Sequence, residues 1–197
     1  MIERAQYDKI NQKHGWCASW AVWAPRVDTA KSGVGDTTIF LEEKLADLLP
    51  VIHTKAVLVG LNISREANLT NFQNFHAGDR RGQDYKLRHA IMGTPLWGSY
   101  MTDIIKDWPE VSSANLMRDL KKRPDKEREN VETFVDELEF IGAKDPLIVA
   151  MGGAVASILE RNLAEKFRVI KIPHYAMQIN TDVYRGRVAE ALAGVRV

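Results

Sequence analysis

Four short apolar runs rich in β-branched residues punctuate the chain: 56–61 (AVLVGL), 99–105 (SYMTDII), 147–151 (LIVAM) and 168–172 (RVIKI). Continuous runs of this length predict strands buried on both faces, as in a parallel sheet. Between them the apolar spacing turns helical. Residues 38–49 place Ile39, Leu41, Leu45, Leu48 and Leu49 at helical intervals, with Asp36, Thr37 or Thr38 as N-cap and Pro50 just beyond the end. Residues 111–122 and 127–141 predict two helices around a charged turn containing Pro124. Residues 154–166 follow Gly152-Gly153, and 181–193 end near Gly194. Two stretches show no clear period: the segment up to residue 37, which reads as irregular, and 65–95, which reads as a long polar loop. Strands alternating with helices predict an α/β domain, a three-layer α/β/α sandwich around a mostly parallel four-stranded sheet. We read one domain over 1–197, with 1–37 as an extension packing on it.

Composition narrows the chemistry. The chain has 197 residues, 45% hydrophobic and 27% charged, which is globular composition. A net charge of +1 excludes a polybasic nucleic-acid binder but leaves room for a local phosphate-contacting patch. One cysteine, Cys17, excludes an intrachain disulfide, a cysteine-rich zinc site and an iron–sulfur cluster. The five histidines lack H-E-x-x-H spacing, so no metal or other cofactor is expected. No G-x-S-x-G elbow or G-x-G-x-x-G fingerprint occurs. The Trp-rich run 16–25 is too short to cross a bilayer and is not preceded by a basic leader, so a cytoplasmic protein without membrane contact is expected.

In a parallel α/β sheet, ligands bind beyond the carboxyl ends of the strands. Those ends carry Asn62, Asp103, Gly152-Gly153 and His174. Asn62 either orients a water or simply forms the turn after its strand. His174 either donates to a developing anion or is a plain loop histidine. Asp103 is a ligand contact or a salt-bridged structural acid, since an unpaired buried carboxylate is costly. The two glycines bring helix amides to an anion or let strand and helix pack closely. Loop 65–95 interleaves Phe72, Phe75 and His76 with Arg80, Arg81, Lys86 and Arg88, a pattern suited to stacking on bases and touching phosphates, or to a solvated loop whose aromatics plug the core.

The order of these motifs resembles the uracil-DNA glycosylase superfamily. Gly60-Leu61-Asn62-Ile63-Ser64 resembles its first motif, a Gly-x-Asn/Asp-Pro segment, and Ile172-Pro173-His174-Tyr175-Ala176 its second, a strand ending in a His-Pro-Ser-like loop. Tyr100–Lys106 resembles the strand that usually carries Thr-Asn-Val, and 146–159 the strand–Gly–helix element. The resemblance spans about 54–193. It implies a uracil-DNA glycosylase-like fold and a monofunctional hydrolase of the N-glycosidic bond of a flipped base, acting in base-excision DNA repair. By resemblance, Asn62 and His174 are catalytic. Phe75, with Phe72 in reserve, stacks on the base, and Asp103 faces its Watson–Crick edge. Met177 or Gln178 lies where the family places a wedge. Ser64, Arg65, Arg80, Arg81, Lys86, Arg88, Gly152 and Gly153 would contact the nucleic acid: duplex, single strand or a free nucleotide. Four positions depart from the family pattern: Ile63 for proline, Tyr175-Ala176 for Pro-Ser, and Asp103 for the asparagine that reads uracil. The alternative is a protein of this fold that binds a base, nucleotide or nucleic acid without cleaving it.

Overall fold

The computed structural model describes residues 2–63, 70–76, 82–195 and 197. Its sheet has five strands: β1 (Ser19–Trp20), β2 (His53–Asn62), β3 (Ser99–Ile105), β4 (Leu147–Met151) and β5 (Val169–Ile172). Their spatial order is β1-β3-β2-β4-β5. The β3–β2, β2–β4 and β4–β5 pairs are parallel. The four expected strands thus form the parallel body. The fifth, β1, pairs antiparallel along the outer edge of β3, with Ser19 opposite Met101. It is too short to announce itself by periodicity.

Seven α-helices surround the sheet among the described residues: α1 (Arg4–His14), α2 (Leu45–Leu48), α3 (Tyr85–Ile91), α4 (Ser113–Leu120), α5 (Pro124–Phe140), α6 (Gly153–Leu163) and α7 (Thr181–Leu192). Two separate cores give the layering. On one face Val57, Val59, Tyr100, Ile104, Ile148 and Ala150 pack with Tyr7 and Ile10 of α1, Leu45 and Leu48 of α2, and apolar positions of α4, α5 and α6. On the other, Ala56, Leu58, Met101, Leu147, Val149 and Met151 pack with Leu87 and Ile91 of α3 and Tyr184 and Val188 of α7. Alternate residues of one strand feed opposite cores, which is why these runs read as continuously apolar.

Three expectations need correction. The first 37 residues are not an irregular extension: they hold α1 and β1, and Trp20 is fully buried. Tyr7, Ile10 and His14 lie on the buried side of α1, a helical spacing masked by the polar residues between them. Residues 38–49 form two 3₁₀ turns, Thr38–Phe40 and Glu42–Lys44, and only one α turn, because consecutive short turns follow the surface of the first core. The 65–95 loop contains α3, with Leu87, Ala90 and Ile91 buried.

The α5 face also hides an ionic network. Glu137, 1% exposed, accepts hydrogen bonds from Tyr100 Oη (2.9 Å) and Thr102 Oγ1 (3.0 Å). The Lys106 ammonium lies 2.6 Å from its other oxygen. This carboxylate therefore has a counter-charge and hydroxyl donors, which is what a buried ion needs.

Candidate functional site

A cavity of about 800 Å³ opens at the carboxyl edge of the parallel strands, and Asn62, Phe75, Asp103, Gly152, Gly153 and His174 all line it. The volume is that of a small-ligand site. Each lining group is held by a local device.

At the end of β2, the Asn62 amide nitrogen donates to the carbonyls of Trp108 (3.1 Å) and Glu110 (2.9 Å), beyond the end of β3. This anchoring commits Nδ2 to the protein. That leaves Oδ1, an acceptor of the kind that can orient a water.

Gly60 stands directly opposite Asp103 in the β2–β3 register. A methyl group on Gly60 would run into Asp103 Oδ1 and approach Phe75 Cε1 at 3.0 Å. The glycine thus makes room for a carboxyl group and an aromatic ring on one spot of the sheet. Asp103 is 3% exposed, and burial pushes its carboxyl up to about 6. Its Oδ2 accepts from Asn74 Nδ2 (3.0 Å). The Lys106 ammonium reaches only the Asp103 backbone carbonyl (2.6 Å). Among the described residues this acid makes no salt bridge: its side-chain partner is a neutral amide, and it lines the cavity.

Residues 70–76 form successive tight turns, Gln73 N–H to Thr70 and His76 N–H to Gln73. Phe72 and Phe75 both have positive φ, 61° and 71°. That region disfavours side chains by about 1–2 kcal/mol per residue. The turns deliver the two rings to different places. Phe75 is half-buried at the cavity. Phe72 is 1% exposed and packs on Tyr7 (5.4 Å between centroids) and Phe40 (5.6 Å). Phe72 is therefore a core residue, and its reserve role as a base-stacking ring is withdrawn. Asn74, between them, donates to Cys17 O (2.5 Å) as well as to Asp103.

His174 follows β5. Its Nδ1 accepts the Ala176 N–H (3.1 Å), so the neutral ring carries its proton on Nε2. The ring stacks on Tyr175 (4.5 Å, 27° between planes). Desolvation lowers its pKa below the usual value, which favours a neutral donor near pH 7. Gly152 has φ 107°, and a methyl there would come within 3.3 Å of His174 Cβ. Gly152 thus supplies the close packing, and Gly153, where an added Cβ would meet nothing within 4 Å, begins α6 at the cavity, which Ala154 and Val155 also line. The His174 loop is fastened from below by Tyr184 Oη to Pro173 O (3.1 Å) and Lys86 Nζ to Met177 O (2.9 Å).

Two expected phosphate contacts are corrected by these geometries. Lys86 is 4% exposed and ties the His174 loop to α3. Arg88 is 5% exposed and donates to the carbonyls of Ala24 (3.0 Å), Ser32 (2.8 Å) and Ala30 (2.7 Å). Both are spent on holding segments together. Met177 and Gln178 are exposed just beyond His174, outside the cavity lining. Ser64, Arg65, Arg80 and Arg81 lie outside the described residues.

Sequence reasoning missed Asn74, Asp84 and Tyr175 as lining residues. Asp84, 1% exposed, accepts from Trp23 Nε1 (3.2 Å). Nothing in the local sequence marks Asn74, because its contacts depend on two positive-φ neighbours. Among the described residues one cluster could offer metal ligands: His14, Cys17 and Glu137, within 4.8 Å of one another. The Lys106 ammonium already lies on that glutamate, so a cation is in place. No helix among the described residues is long and apolar enough to cross a membrane. Neither a protein-family model, nor a curated protein, nor a solved structure matches the chain.

Proposed function

We propose that the chain is a uracil-DNA glycosylase-like hydrolase that cleaves the N-glycosidic bond of a base held in this cavity. One observation carries the reading: an anchored acceptor (Asn62), an aromatic ring (Phe75), a buried edge-reading acid (Asp103) and a neutral Nε2–H donor (His174) line a single cleft. In the proposed reaction the base stacks on Phe75. As the bond from C1′ to the base nitrogen breaks, its electron pair leaves with the base. His174 Nε2–H donates to the anion that forms, an interaction strongest in the transition state. Asn62 Oδ1 orients the water that adds hydroxide to C1′, and the released proton ends on the departed base. Within the same proposal the protein acts on DNA in base-excision repair, in the cytoplasm, whose reducing conditions suit a single buried thiol.

A second reading is favoured by Lys86 and Arg88. With both buried, two fewer cations are available for a duplex, which suits a protein that binds a free nucleotide or short single strand without cleavage. The deciding experiment incubates the protein with duplex and single-stranded oligonucleotides carrying uracil, thymine, hypoxanthine, xanthine or guanine at one position and scores abasic sites. Abasic product that disappears in His174→Ala supports the hydrolase. Binding without abasic product supports the second reading.

A further inference from the structure

The edge that this cavity reads can be narrowed by counting donors and acceptors around Asp103. An ionised carboxylate only accepts, whereas an amide side chain at the same position both donates and accepts. A base whose ring N–H is flanked by carbonyls on both sides, as in uracil, meets such an acid with one good contact and one lone-pair repulsion. A cytosine edge offers an amino donor beside a bare ring nitrogen and suffers the same conflict. Only a ring N–H adjacent to an exocyclic amino group offers two donors to two carboxylate oxygens. We infer that the cavity selects a guanine-type edge, with Asp103 as the specificity-determining residue; this rests on the base-pocket reading above.

Four observations support it. The carboxyl is positioned rather than free: Oδ2 is held by Asn74, and Oδ1 lies over Gly60 next to the Phe75 ring. An acceptor edge and a stacking surface are thus adjacent. Among the described residues, no titratable group is an ion-pair partner for the carboxylate. Lys106 is turned to Glu137 and to the Asp103 backbone carbonyl. Cys17 and Tyr175 are both pushed towards their neutral forms by burial. Glu137 adds a like charge that raises the Asp103 pKa, and Gly60 and Phe75, the other neighbours among the described residues, bring no charge. Asp103 is therefore ionised above about pH 6, with an amide as its side-chain partner. At about 800 Å³ the cavity has room for a two-ring base. Finally, the His174 Nε2–H donor and the Asp103 acceptor line the same cavity, matching a base that carries acceptors (O6, N7, N3) as well as its two adjacent donors.

The test uses five-nucleotide DNA strands carrying one guanine, hypoxanthine, cytosine or uracil among abasic spacers, titrated by fluorescence anisotropy at pH 7.5. Hypoxanthine keeps the ring N–H of guanine and lacks only the amino group, so it isolates the second donor. The guanine strand is expected to bind about tenfold or more tightly than each of the others. Asp103→Asn should erase that preference and favour the uracil strand, and Asn74→Ala, which leaves the acid in place, should retain guanine as the best ligand with weaker discrimination. Equal or tighter binding of uracil or hypoxanthine by the unmodified protein overturns the guanine edge while leaving a base pocket. Binding indifferent to the base, or none to any strand, overturns the base-pocket reading itself.

Discussion

Asp103 and Glu137 are both buried acids, but they are treated in opposite ways. Glu137 faces the α5 side of the sheet with an ammonium at 2.6 Å and two hydroxyl donors. Asp103 faces the α3 side with one amide donor and the open cavity. One acid is neutralised by the fold. The other has a single amide partner among the described residues and lines the cavity. The α3 side therefore carries a desolvation cost at its acid that the α5 side offsets with a counter-charge.

Breaking the neutralised pair has the largest expected effect. Lys106→Met leaves the Glu137 charge buried without its partner and should lower unfolding stability by about 3–5 kcal/mol in urea titrations. A loss below about 1 kcal/mol would mean the pair is not what holds this face. Next comes the cavity donor. If the hydrolase reading holds, His174→Ala should slow single-turnover cleavage by about 10²–10³-fold with little change in substrate affinity. Equal losses in both would assign His174 to binding.

Asp103→Asn should act in the reverse sense to Lys106→Met. The folded-state pKa of about 6 stands above the unfolded value of 3.8. The folded protein therefore binds more protons between those values, and stability falls as pH rises through them. At pH 7 the ionised acid costs about 2–3 kcal/mol, which the variant recovers. Urea midpoints should place Asp103→Asn above the unmodified protein at pH 7 and level with it below pH 4. A variant less stable at pH 7 would show the acid to be paired after all. The smallest stability effect is Phe75→Ala, about 1 kcal/mol for a half-buried ring, yet base affinity should drop by about 1–3 kcal/mol. Undiminished affinity in anisotropy titrations would remove Phe75 from the stacking role.

Legibility followed physical range. β2–β5 were readable because double-sided burial forces unbroken apolar runs. The strand-end rule then brought Asn62, Asp103 and His174 to one edge, and the cavity gathers them. What escaped was nonlocal or too short. β1 is two residues, defined wholly by its partner β3. Phe72 and Phe75 look alike in sequence, and only the turns between them send one to the core. Arg88 resembled a phosphate ligand because its three carbonyl partners lie about 60 residues away in the chain.

The strand order has a consequence for synthesis. β2 is the first long strand to emerge, yet its neighbours are β3 and β4, which begin at residues 99 and 147. At ribosomal speeds of roughly 5–20 residues per second, its apolar segment waits about 2–7 s for β3 and longer for β4. Throughout that interval both of its hydrogen-bonding edges are bare. The nascent chain thus carries an adhesive ribbon until the second half of the sheet arrives.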